Sequence, residues 1–423
     1  MSDKKNIAII GMGYVGLPLA VELGKNFNTI GFDIDHNKIN NLNNNIDLNF
    51  EINSKLIKNS KYLSFTKEIK NLQKSNIFII TVPTPIKGKN QPDLKYLLNA
   101  CKQIGSIIKK KSIIIIESTV YPGVTEDICA PIIEKYSGYK FNTDFFMGYS
   151  PERINPGDKK HTIKNINKIT SGSNKKTAKV VDDLYKKIVT EAKTYKVNSI
   201  KIAEAAKVIE NAQRDINIAF VNELSIIFNK IGLNSSEVFD AANTKWNYLN
   251  FRPGLVGGHC IGIDPYYLSY KAKQVGYTPN IILAGRKINE KMPQFITSEI
   301  IKISKQIKFN KKNNKILILG ITFKENCNDV RNSKVINILK KLKNNKFKVD
   351  VCDPKVKNQD LKNIIKLKLK NFNYLNYKDY KIIILAVAHN EFKSINVKKI
   401  SKNGSIIYDL KNFFNKNYTF KQL

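Results

Sequence analysis

The chain has 423 residues, which is enough for two or three domains of about 150 residues, each able to bury a hydrophobic core. Hydrophobic residues make up 42% and charged residues 25%, a composition typical of globular proteins that excludes collagen-like, low-complexity and small disulfide-stapled classes. The formal net charge of +36, from 71 lysines and arginines against 35 acidic residues, would on its own suggest a nucleic-acid or anionic-membrane partner.

The kind of basic residue argues against a nucleic-acid partner. Only five of the 71 basic residues are arginines, and the lysines are scattered along the chain among many Asn and Ile residues. Proteins that grip phosphate backbones usually keep arginine, because its planar guanidinium binds phosphate through two hydrogen bonds. We therefore expect no nucleic-acid partner and interpret the charge as compositional drift. A basic nucleic-acid-binding protein is the alternative from a different functional class.

The cysteines and the apolar runs bear on the compartment. The five cysteines are Cys101, Cys129, Cys260, Cys327 and Cys352. They form no Cys-x-x-Cys pair and have no histidine at metal-ligand spacing, so we expect free thiols, no metal site and a reducing compartment. No apolar run approaches the roughly 18 residues of a membrane span. The sequence thus predicts a cytoplasmic protein with no membrane partner.

The first elements of the chain form a dinucleotide-binding pattern. The apolar run Asn6–Ile10 predicts a buried parallel strand and leads into Gly11-x-Gly13-x-x-Gly16, a predicted helix over 17–23, and a second strand over 29–32 that ends at Asp33. Glycines at these positions permit a tight turn and let backbone N–H groups approach a pyrophosphate at a helix N-terminus. The acid at Asp33 would bind ribose hydroxyls and repel a 2′-phosphate, which favours NAD over NADP, with FAD as the competing cofactor.

Two further apolar runs extend this first domain. Ile77–Val82 and Ser112–Glu117 predict parallel strands, and each is followed by small polar or proline residues. Loops after such strands line the ligand crevice of a doubly wound sheet. We predict a dinucleotide-binding domain over residues 1–195.

A long helix follows. Apolar residues recur at helical spacing over 199–230, and Gly232 is a stop signal, which predicts a helix of about 45 Å that connects domains and offers a dimerisation surface. Lys207 and Asn211 lie one turn apart on one face of this helix and could reach a common cleft. The spacing alone favours the alternative that Lys207 is an ordinary solvated lysine.

The last third of the chain predicts a second α/β sheet. Residues 309–315 form a Lys/Asn-rich linker, and strands are predicted over 316–320, 348–351, 382–387 and 405–409, with a helix over 332–342. The first turn of this sheet has no Gly-x-Gly-x-x-Gly, so we expect it to bind something other than a second dinucleotide. The predicted division is a central helical domain over 196–308 and a second sheet domain over 309–423.

The segment 250–265 carries the candidate nucleophile. Four glycines and two prolines surround Cys260, with His259 before it and Asp264 four residues after it. Such a composition predicts a fixed loop with close backbone approach. A free cysteine is more often a small buried hydrophobe than a nucleophile, but this setting brings the two interpretations to about equal weight.

Several motifs together resemble the UDP-glucose/GDP-mannose dehydrogenase family over nearly the whole chain. They are Gly11 to Gly16, Pro83-Thr-Pro85, Glu117-Ser-Thr119, Ser150-Pro-Glu152-Arg153, Lys207 with Asn211, Gly257-Gly-His-Cys260-x-x-x-Asp264, and Phe323-Lys324 through Arg331. The segments 150–157 and 251–260 are similar to those of the bacterial UDP-N-acetylhexosamine 6-dehydrogenases of capsule and O-antigen pathways. Enzymes that use UDP-glucose usually carry Phe where Arg153 stands.

The resemblance implies an α/β fold with two Rossmann-like, doubly wound parallel sheets joined by a long central helix. It also implies a four-electron oxidation of a sugar C6 hydroxyl to a carboxylate, with two NAD used in turn. In that chemistry Cys260 forms a thiohemiacetal and then a thioester, while Lys207 and Asn211 stabilise negative charge on O6. Glu152, Thr119 and Asp264 match family positions for proton transfer and for holding the catalytic water.

The resemblance also implies binding residues. Cofactor contacts are expected from Gly11, Met12, Gly13, Tyr14, Val15, Gly16, Asp33, Lys38, Thr84, Thr119 and Arg331. Substrate contacts are expected from Glu152, Arg153, Lys207, Asn211, Arg252, Gly257 and Lys324, with Arg153 sensing the substrate class. UDP-GlcNAc or UDP-GalNAc is favoured, and UDP-glucose and UDP-ManNAc are the alternatives. We expect a homodimer or higher homo-oligomer formed through the long helix.

Overall fold

The computed structural model describes residues 5–48, 52–154, 160–258, 261–361 and 364–423. The chain forms two compact units: Met1–Glu210 with Tyr266–Tyr277, and Asn211–Pro265 with Thr278–Leu423. The division into three domains at residues 195 and 308 stays a prediction. Among the described residues, no helix is long and apolar enough to cross a membrane.

The first unit is built on an eight-stranded sheet. Its strands are β1 (Asn6–Ile10), β2 (Asn28–Phe32), β3 (Leu63–Thr66), β4 (Ile77–Ile80), β7 (Ile113–Ile116), β8 (Phe146–Tyr149), β9 (Lys168–Gly172) and β10 (Thr194–Lys196), and a separate two-stranded hairpin joins β5 (Ile86–Lys87) to β6 (Gln91–Pro92). The order in the sheet is β10-β9-β8-β7-β4-β1-β2-β3, and all pairs are parallel except β8 with β9. Six of these strands follow the 3-2-1-4-5-6 order of dinucleotide-binding sheets.

The helices of the first unit pack against a sheet whose central strands are buried on both faces. They are α1 (Gly16–Leu23), α2 (His36–Asn43), α3 (Ser54–Lys58), α4 (Lys95–Gly105), α5 (Ala130–Ser137) and α6 (Lys175–Lys186). The strand sequences Ile-Phe-Ile-Ile in β4 and Ile-Ile-Ile-Ile in β7 are almost wholly buried, as expected for parallel strands with helices on each side. Leu17 and Leu19 of α1 pack with Ile7 and Ile9 of β1 in one core cluster.

Two helices continue from one unit into the residues of the other. α7 is an unbroken helix of 32 residues, Ile200–Ile231, and α9 spans Asp264–Gln274. At 1.5 Å per residue α7 is about 48 Å long. The predicted long helix is therefore confirmed.

The second unit holds a five-stranded parallel sheet. Its strands are β11 (Lys315–Leu319), β12 (Lys348–Cys352), β13 (Tyr380–Leu385), β14 (Ile406–Asp409) and β15 (Lys421–Gln422), in the order β12-β11-β13-β14-β15. The remaining helices are α8 (Ser235–Ala242), α10 (Asn280–Gln306), α11 (Lys334–Asn344), α12 (Asn358–Leu361) and α13 (Val397–Lys402). The order corresponds to 2-1-3-4-5, a second common doubly wound arrangement. Two doubly wound sheets and a long helix confirm the predicted fold class.

Candidate active site

The glycine turn after β1 has the geometry that a bound phosphate needs. Gly11 has φ +102°, a backbone conformation that residues other than glycine rarely adopt. A Cβ on Gly16 would lie 1.8 Å from the carbonyl oxygen of Gly11, whereas the space beside Gly13 is open. The N-cap residue of α1, Val15, makes no side-chain hydrogen bond to the helix N-terminus. The turn therefore presents backbone N–H groups at a helix N-terminus, which fits a dinucleotide pyrophosphate.

Asp33 ends β2 beside this turn and is 8% exposed. Its Oδ2 accepts hydrogen bonds from the Met12 backbone N–H at 2.9 Å and from Lys38 Nζ at 2.7 Å, and its Oδ1 accepts the Asp35 N–H at 2.9 Å. A carboxylate has about four acceptor sites, so these bonds leave capacity for a ribose hydroxyl. The structure brings Asp33, Met12 and Lys38 together, as expected if all three serve the cofactor.

The loops that follow β4 and β7 are tied to each other and to the glycine turn. Thr81 Oγ1 donates to the carbonyl oxygen of Gly11 at 2.8 Å, and Ser118 Oγ donates to that of Val82 at 2.6 Å. Thr84 Oγ1 donates to the carbonyl oxygen of Thr119 at 2.7 Å. Thr84 and Thr119 thus lie on adjoining loops at the carboxyl ends of the strands, where this fold binds its ligands.

Glu152 and Arg153 lie in the segment that follows β8. The backbone N–H of Arg153 donates to Glu152 Oε1 at 2.6 Å, and the Ile154 N–H donates to the same oxygen. The Arg153 guanidinium forms an ion pair with Glu210 Oε1 at 2.5 Å and donates to the carbonyl oxygen of Asn167 at 2.8 Å. Arg153 is therefore held by protein groups in this structure, and its role as a sensor of the substrate stays a prediction.

A buried ion cluster that sequence reasoning did not identify joins Glu152 to two neighbouring strands. Lys168 Nζ, on β9, lies 2.7 Å from Glu117 Oε2 and 3.5 Å from Glu152 Oε2, and these side chains are 4%, 0% and 9% exposed. The hydroxyl of Tyr185, on α6, donates to Glu117 Oε1. Burial raises the pKa of Glu117 to about 7, against the opposing attraction of Lys168. Glu117 belongs to the motif Glu117-Ser-Thr119. Nothing in the sequence distinguishes Lys168, however, from the many other lysines of the chain.

Lys207 on α7 is only 7% exposed. Within the part of the chain that the structure describes, no ion pair or hydrogen bond engages its ammonium. The interpretation of Lys207 as a solvated surface lysine, which the spacing alone favoured, is therefore wrong. Desolvating an ammonium without a partner is costly, so this position is suited to a negatively charged ligand.

One turn before Lys207, Glu204 links α7 to the loop that carries Thr119. Glu204 is fully buried, and its carboxylate accepts the backbone N–H groups of Gly123 at 2.6 Å and Thr125 at 2.9 Å. Burial raises the pKa of Glu204 to about 7, although these hydrogen bonds lower it. The glutamate thus fixes the loop onto the helix.

In the second unit, α7 carries Asn211, whose Nδ2 donates to Asp264 Oδ2 at 2.6 Å. Asp264 is 1% exposed and is the first residue of α9. The structure therefore brings two of the predicted catalytic residues together. Cys260 and His259 lie outside the described residues.

The loop that leads to Cys260 is anchored by a pair of hydrogen bonds. Asn222 Oδ1 accepts the Gly254 N–H at 2.8 Å, and Asn222 Nδ2 donates to the Gly254 carbonyl oxygen at 3.0 Å. A Cβ on Gly258, where φ is +80°, would lie 2.7 Å from the ring of Phe323, and a Cβ on Gly257 would lie 2.8 Å from a backbone oxygen. The close backbone approach predicted for this loop is confirmed at these glycines.

The remaining predicted binding residues lie in the second unit. Arg252 forms an ion pair with Asp240 at 2.7 Å, and Arg331 makes a two-pronged contact with Asp329 at 2.8 and 3.0 Å. The Lys324 ammonium lies 5.6 Å from the ring centroid of Phe323. The assignment of these residues to the substrate and the cofactor stays a prediction.

His389 and Asp353 organise the loop around Lys324. His389 is fully buried, its Nδ1 accepts the Asn326 N–H at 3.0 Å, and its Nε2 lies 3.0 Å from Asp353 Oδ2. Because Nδ1 accepts, the Nε2 proton faces the carboxylate. Asp353 Oδ2 also accepts the Ile321 N–H at 2.7 Å. Sequence reasoning missed this pair, in which Asp353 follows β12 as Asp33 follows β2, while His389 comes after β13.

Comparison with known proteins identifies the family to which these features belong. Residues 5–189 match the NAD binding domain of the UDP-glucose/GDP-mannose dehydrogenase family, residues 201–291 its central domain and residues 317–416 its UDP binding domain. The chain is 50% identical over 414 residues to a UDP-N-acetyl-D-glucosamine 6-dehydrogenase of Pseudomonas aeruginosa, covering 97% of each chain. It is 48% identical over 412 residues to one of Salmonella typhi, covering 97% of this chain and 96% of the relative.

A solved structure of a UDP-D-ManNAc dehydrogenase from Pyrococcus horikoshii has a TM-score of 0.88 and 30% identity, covering 99% of this chain and 98% of that one. The match to the NAD binding domain includes the glycine turn and Asp33, and the match to the UDP binding domain includes most of the second sheet. The chain belongs to the UDP-glucose/GDP-mannose dehydrogenase family and is an NAD-dependent nucleotide-sugar dehydrogenase.

Proposed function

We propose that this dehydrogenase oxidises the C6 hydroxyl of a UDP-N-acetylhexosamine, UDP-GlcNAc or UDP-GalNAc, to the corresponding uronic acid. Relatives named UDP-N-acetyl-D-glucosamine 6-dehydrogenase are 48% and 50% identical to the chain, whereas relatives named for UDP-N-acetyl-D-mannosamine are 31% to 34% identical. This difference supports the gluco configuration over the manno one. We also propose that the product serves capsule or O-antigen synthesis, as the sequence resemblance implies.

The buried ammonium of Lys207 is the observation that carries the proposal. Oxidation of an alcohol develops negative charge on the oxygen that loses its proton, and a desolvated positive charge stabilises that oxygen more strongly than an exposed one. Lys207 is buried and has no described ionic partner to compete. Asn211, one helical turn later, has a second amide hydrogen that is available for the same oxygen while the first binds Asp264.

The cofactor fits the first unit. The open space beside Gly13, the close approach of Gly16 to Gly11 and the carboxylate of Asp33 suit a pyrophosphate and a ribose. When bound, NAD accepts the hydride that leaves C6 in each oxidation. Asp33 and Lys38 would orient the adenosine ribose. Thr84 and Thr119 would line the cofactor site on the loops next to the glycine turn.

The covalent step is assigned to Cys260. Its thiolate would add to the C6 aldehyde, forming an S–C bond, and O6 would take the negative charge. Loss of hydride from this thiohemiacetal leaves a thioester. Water then attacks the thioester carbon, the C–S bond breaks, and the thiol and the carboxylate product are released.

Proton transfer in these steps is assigned to buried acids. Glu152 would take a proton from the attacking water, and Asp264 and Thr119 would hold that water by hydrogen bonds. Both Glu152 and Asp264 are largely desolvated, at 8% and 1% exposed, which strengthens their interaction with a reacting group.

The substrate class is tested with a panel of UDP-sugars. The purified chain is incubated with NAD and UDP-GlcNAc, UDP-GalNAc, UDP-ManNAc or UDP-glucose, and NADH and uronate are both quantified. We expect the highest kcat/KM with UDP-GlcNAc or UDP-GalNAc and two NADH for each uronate. A higher kcat/KM for UDP-glucose or UDP-ManNAc would contradict the proposed specificity.

The covalent scheme is tested with Cys260→Ser. A serine hydroxyl is a far weaker nucleophile than a thiolate, so the variant should stop at the aldehyde and release no uronate. Cys101→Ser, which replaces a fully buried cysteine on α4 outside the motifs of the predicted site, is the matched control and should retain activity. Uronate production by Cys260→Ser at near the wild-type rate would refute the scheme.

A further inference from the structure

The ion cluster around Lys168 has one more acid than it has bases. Glu117 follows β7, Glu152 lies three residues after β8, and Lys168 begins β9, so three neighbouring strands supply the cluster. Lys168 Nζ is within 3.5 Å of a carboxylate oxygen of each glutamate. Two carboxylates therefore share one ammonium in a site from which water is almost excluded.

The two glutamates are held in different ways. Both oxygens of Glu117 are engaged, by Lys168 and by the Tyr185 hydroxyl. Glu152 Oε1 accepts two backbone N–H groups, and only its Oε2 faces the cluster. Glu117 is therefore closed off inside the fold, whereas Glu152 is the member that belongs to the predicted site.

Among the residues that the structure describes, few charges face Glu152. Lys168 is the cation, Glu117 is the competing anion, and Tyr185 is a neutral donor to Glu117. The nearby Arg153 guanidinium is paired with Glu210. Burial opposes the charge on Lys168, but the two carboxylates together raise the pKa of Lys168 above its ordinary value, so the ammonium persists.

We propose that Lys168 and Glu117 are positioning residues that set the pH range over which Glu152 accepts a proton in the reaction. The ammonium fixes the orientation of the Glu152 carboxylate and attracts it, while Glu117 competes for the same ammonium. This inference rests on the proposed role of Glu152. The two residues act through Glu152 and have no contact with substrate of their own.

The opposing charges of the two residues make the inference testable by sign. Glu117→Gln removes the competing anion and leaves Lys168 to Glu152 alone, so the acidic limb of the kcat profile should move to lower pH. The double variant Lys168→Met with Glu117→Gln removes both charges together, so the limb should move to higher pH by about one unit, and kcat at pH values below the limb should fall about tenfold. Loss of packing alone would not move the limb in opposite directions.

Two further variants complete the experiment. Lys168→Arg keeps the positive charge, so the dependence of kcat on pH should stay close to that of the wild type. Lys186→Met removes an exposed lysine that is paired with Asp182 on α6, and it should leave the profile unchanged. The double variant exchanges a buried ion pair for neutral side chains of similar size, which buried sites tolerate better than the loss of one partner.

The outcomes separate this inference from the proposed function. If Glu152→Gln retains full activity, Glu152 does not transfer the proton, so its proposed role and the positioning role both fail, whereas the proposed oxidation of a UDP-sugar is judged by the substrate panel alone. If Glu152→Gln is inactive but the double variant keeps the wild-type limb and kcat, only the positioning role is refuted. Movement of the limb in the same direction in Glu117→Gln and in the double variant would also refute it.

Discussion

Asp33 and Asp353 occupy the same place in two different sheets. Each follows the second strand of its sheet and accepts the backbone N–H of the residue after the first glycine, from Met12 at 2.9 Å and Ile321 at 2.7 Å. The next partner differs: Asp33 binds the half-exposed ammonium of Lys38, whereas Asp353 faces fully buried His389. An acid closed by an internal histidine is poorly placed to bind a ribose, which explains physically why only the first sheet suits a dinucleotide.

We predict that Asp33→Asn weakens NAD binding by about tenfold or more. Asparagine keeps one acceptor oxygen but loses the charge, and hydrogen bonds to charged groups contribute about 1.5–3 kcal/mol. The Lys38 ammonium, freed from its 2.7 Å contact, would also tolerate a 2′-phosphate, so the preference for NAD over NADP should narrow. Calorimetric titration with each dinucleotide measures both effects.

Asp35→Asn is the control for this prediction. Asp35 lies two residues away and caps α2 by accepting the Lys38 N–H at 3.1 Å, a role that asparagine performs equally well. The dissociation constant for NAD should not change. Unaltered NAD affinity in Asp33→Asn would mean that the cofactor does not bind at this turn.

At this scale the sequence predicts the residues whose signal is local. The turn from Gly11 to Gly16 and the acid after β2 follow from spacing and residue type. Lys168 and Lys207 could not be distinguished from the many surface lysines, because their burial depends on strands and helices distant in sequence. Glu117, the partner that makes the burial of Lys168 tolerable, is identified only by the fold, and so is the burial of Lys207.

Among the elements, α7 also caps another helix of the first unit through Glu204. The helix over 124–129 begins after Gly123, which has no side chain to cap it, and Glu204 of α7 supplies the missing acceptor. A carboxylate at a helix N-terminus is favourable, yet full burial raises its pKa. Burial outweighs these hydrogen bonds, so the folded state is favoured most at a pH at which Glu204 is protonated.

We predict that Glu204→Gln changes the pH dependence of stability. The pKa of Glu204 is about 7 in the folded chain against 4.5 in the unfolded one, so the folded state binds the extra proton and is destabilised as pH rises from about 4.5 to about 7. The shift corresponds to a loss of about 3 kcal/mol over that range. Glutamine does not titrate, so the stability of the variant relative to the wild type should improve as pH rises.

Thermal unfolding midpoints measured between pH 5 and pH 8 check this expectation. Glu223→Gln, at an exposed position on the same helix, is the control and should show a constant offset from the wild type. A constant offset for Glu204→Gln as well would show that this carboxyl does not titrate in the range.

The sequence predicted the elements with apolar periodicity well. The predicted first strand, Asn6–Ile10, has the same bounds in the structure, and the helix predicted over 199–230 spans Ile200–Ile231. Strand β9 was not predicted, because its buried residues include Lys168, Thr170 and Ser171.

Those polar residues of β9 are buried together with partners from other elements. Thr170 Oγ1 donates to Asp182 at 2.8 Å, and Ser171 Oγ donates to the Tyr149 carbonyl oxygen at 2.7 Å. A strand whose burial depends on tertiary hydrogen bonds has no apolar run to reveal it.

For the whole molecule, the charge is informative mainly through its arginines. Four of the five arginines form ion pairs with carboxylates within the chain: Arg153, Arg252, Arg286 and Arg331. The planar guanidinium is suited to such contacts, so its retention in a lysine-rich chain has an internal explanation beside ligand binding. The net charge of +36 remains suited to attracting two anionic ligands, NAD and a UDP-sugar.

The second unit exposes apolar side chains that a partner could cover. Phe220 on α7 is 57% exposed, Ile231 at the end of that helix is 62% exposed, and Trp246 is 92% exposed. Large exposed apolar residues in one unit favour association, and a second copy of the chain would bury them in a self-complementary interface. We therefore expect a homodimer, and Phe220→Glu should weaken it because a buried unpaired carboxylate is costly.

Sedimentation at several protein concentrations should show wild-type dimers and a larger monomer fraction for Phe220→Glu. Tyr374→Ser, which changes a residue that is 86% exposed in the same unit, is the control and should sediment as the wild type. A wild-type chain that sediments as a monomer at assay concentration would contradict this expectation, because the exposed side chains would then have no second copy to cover them.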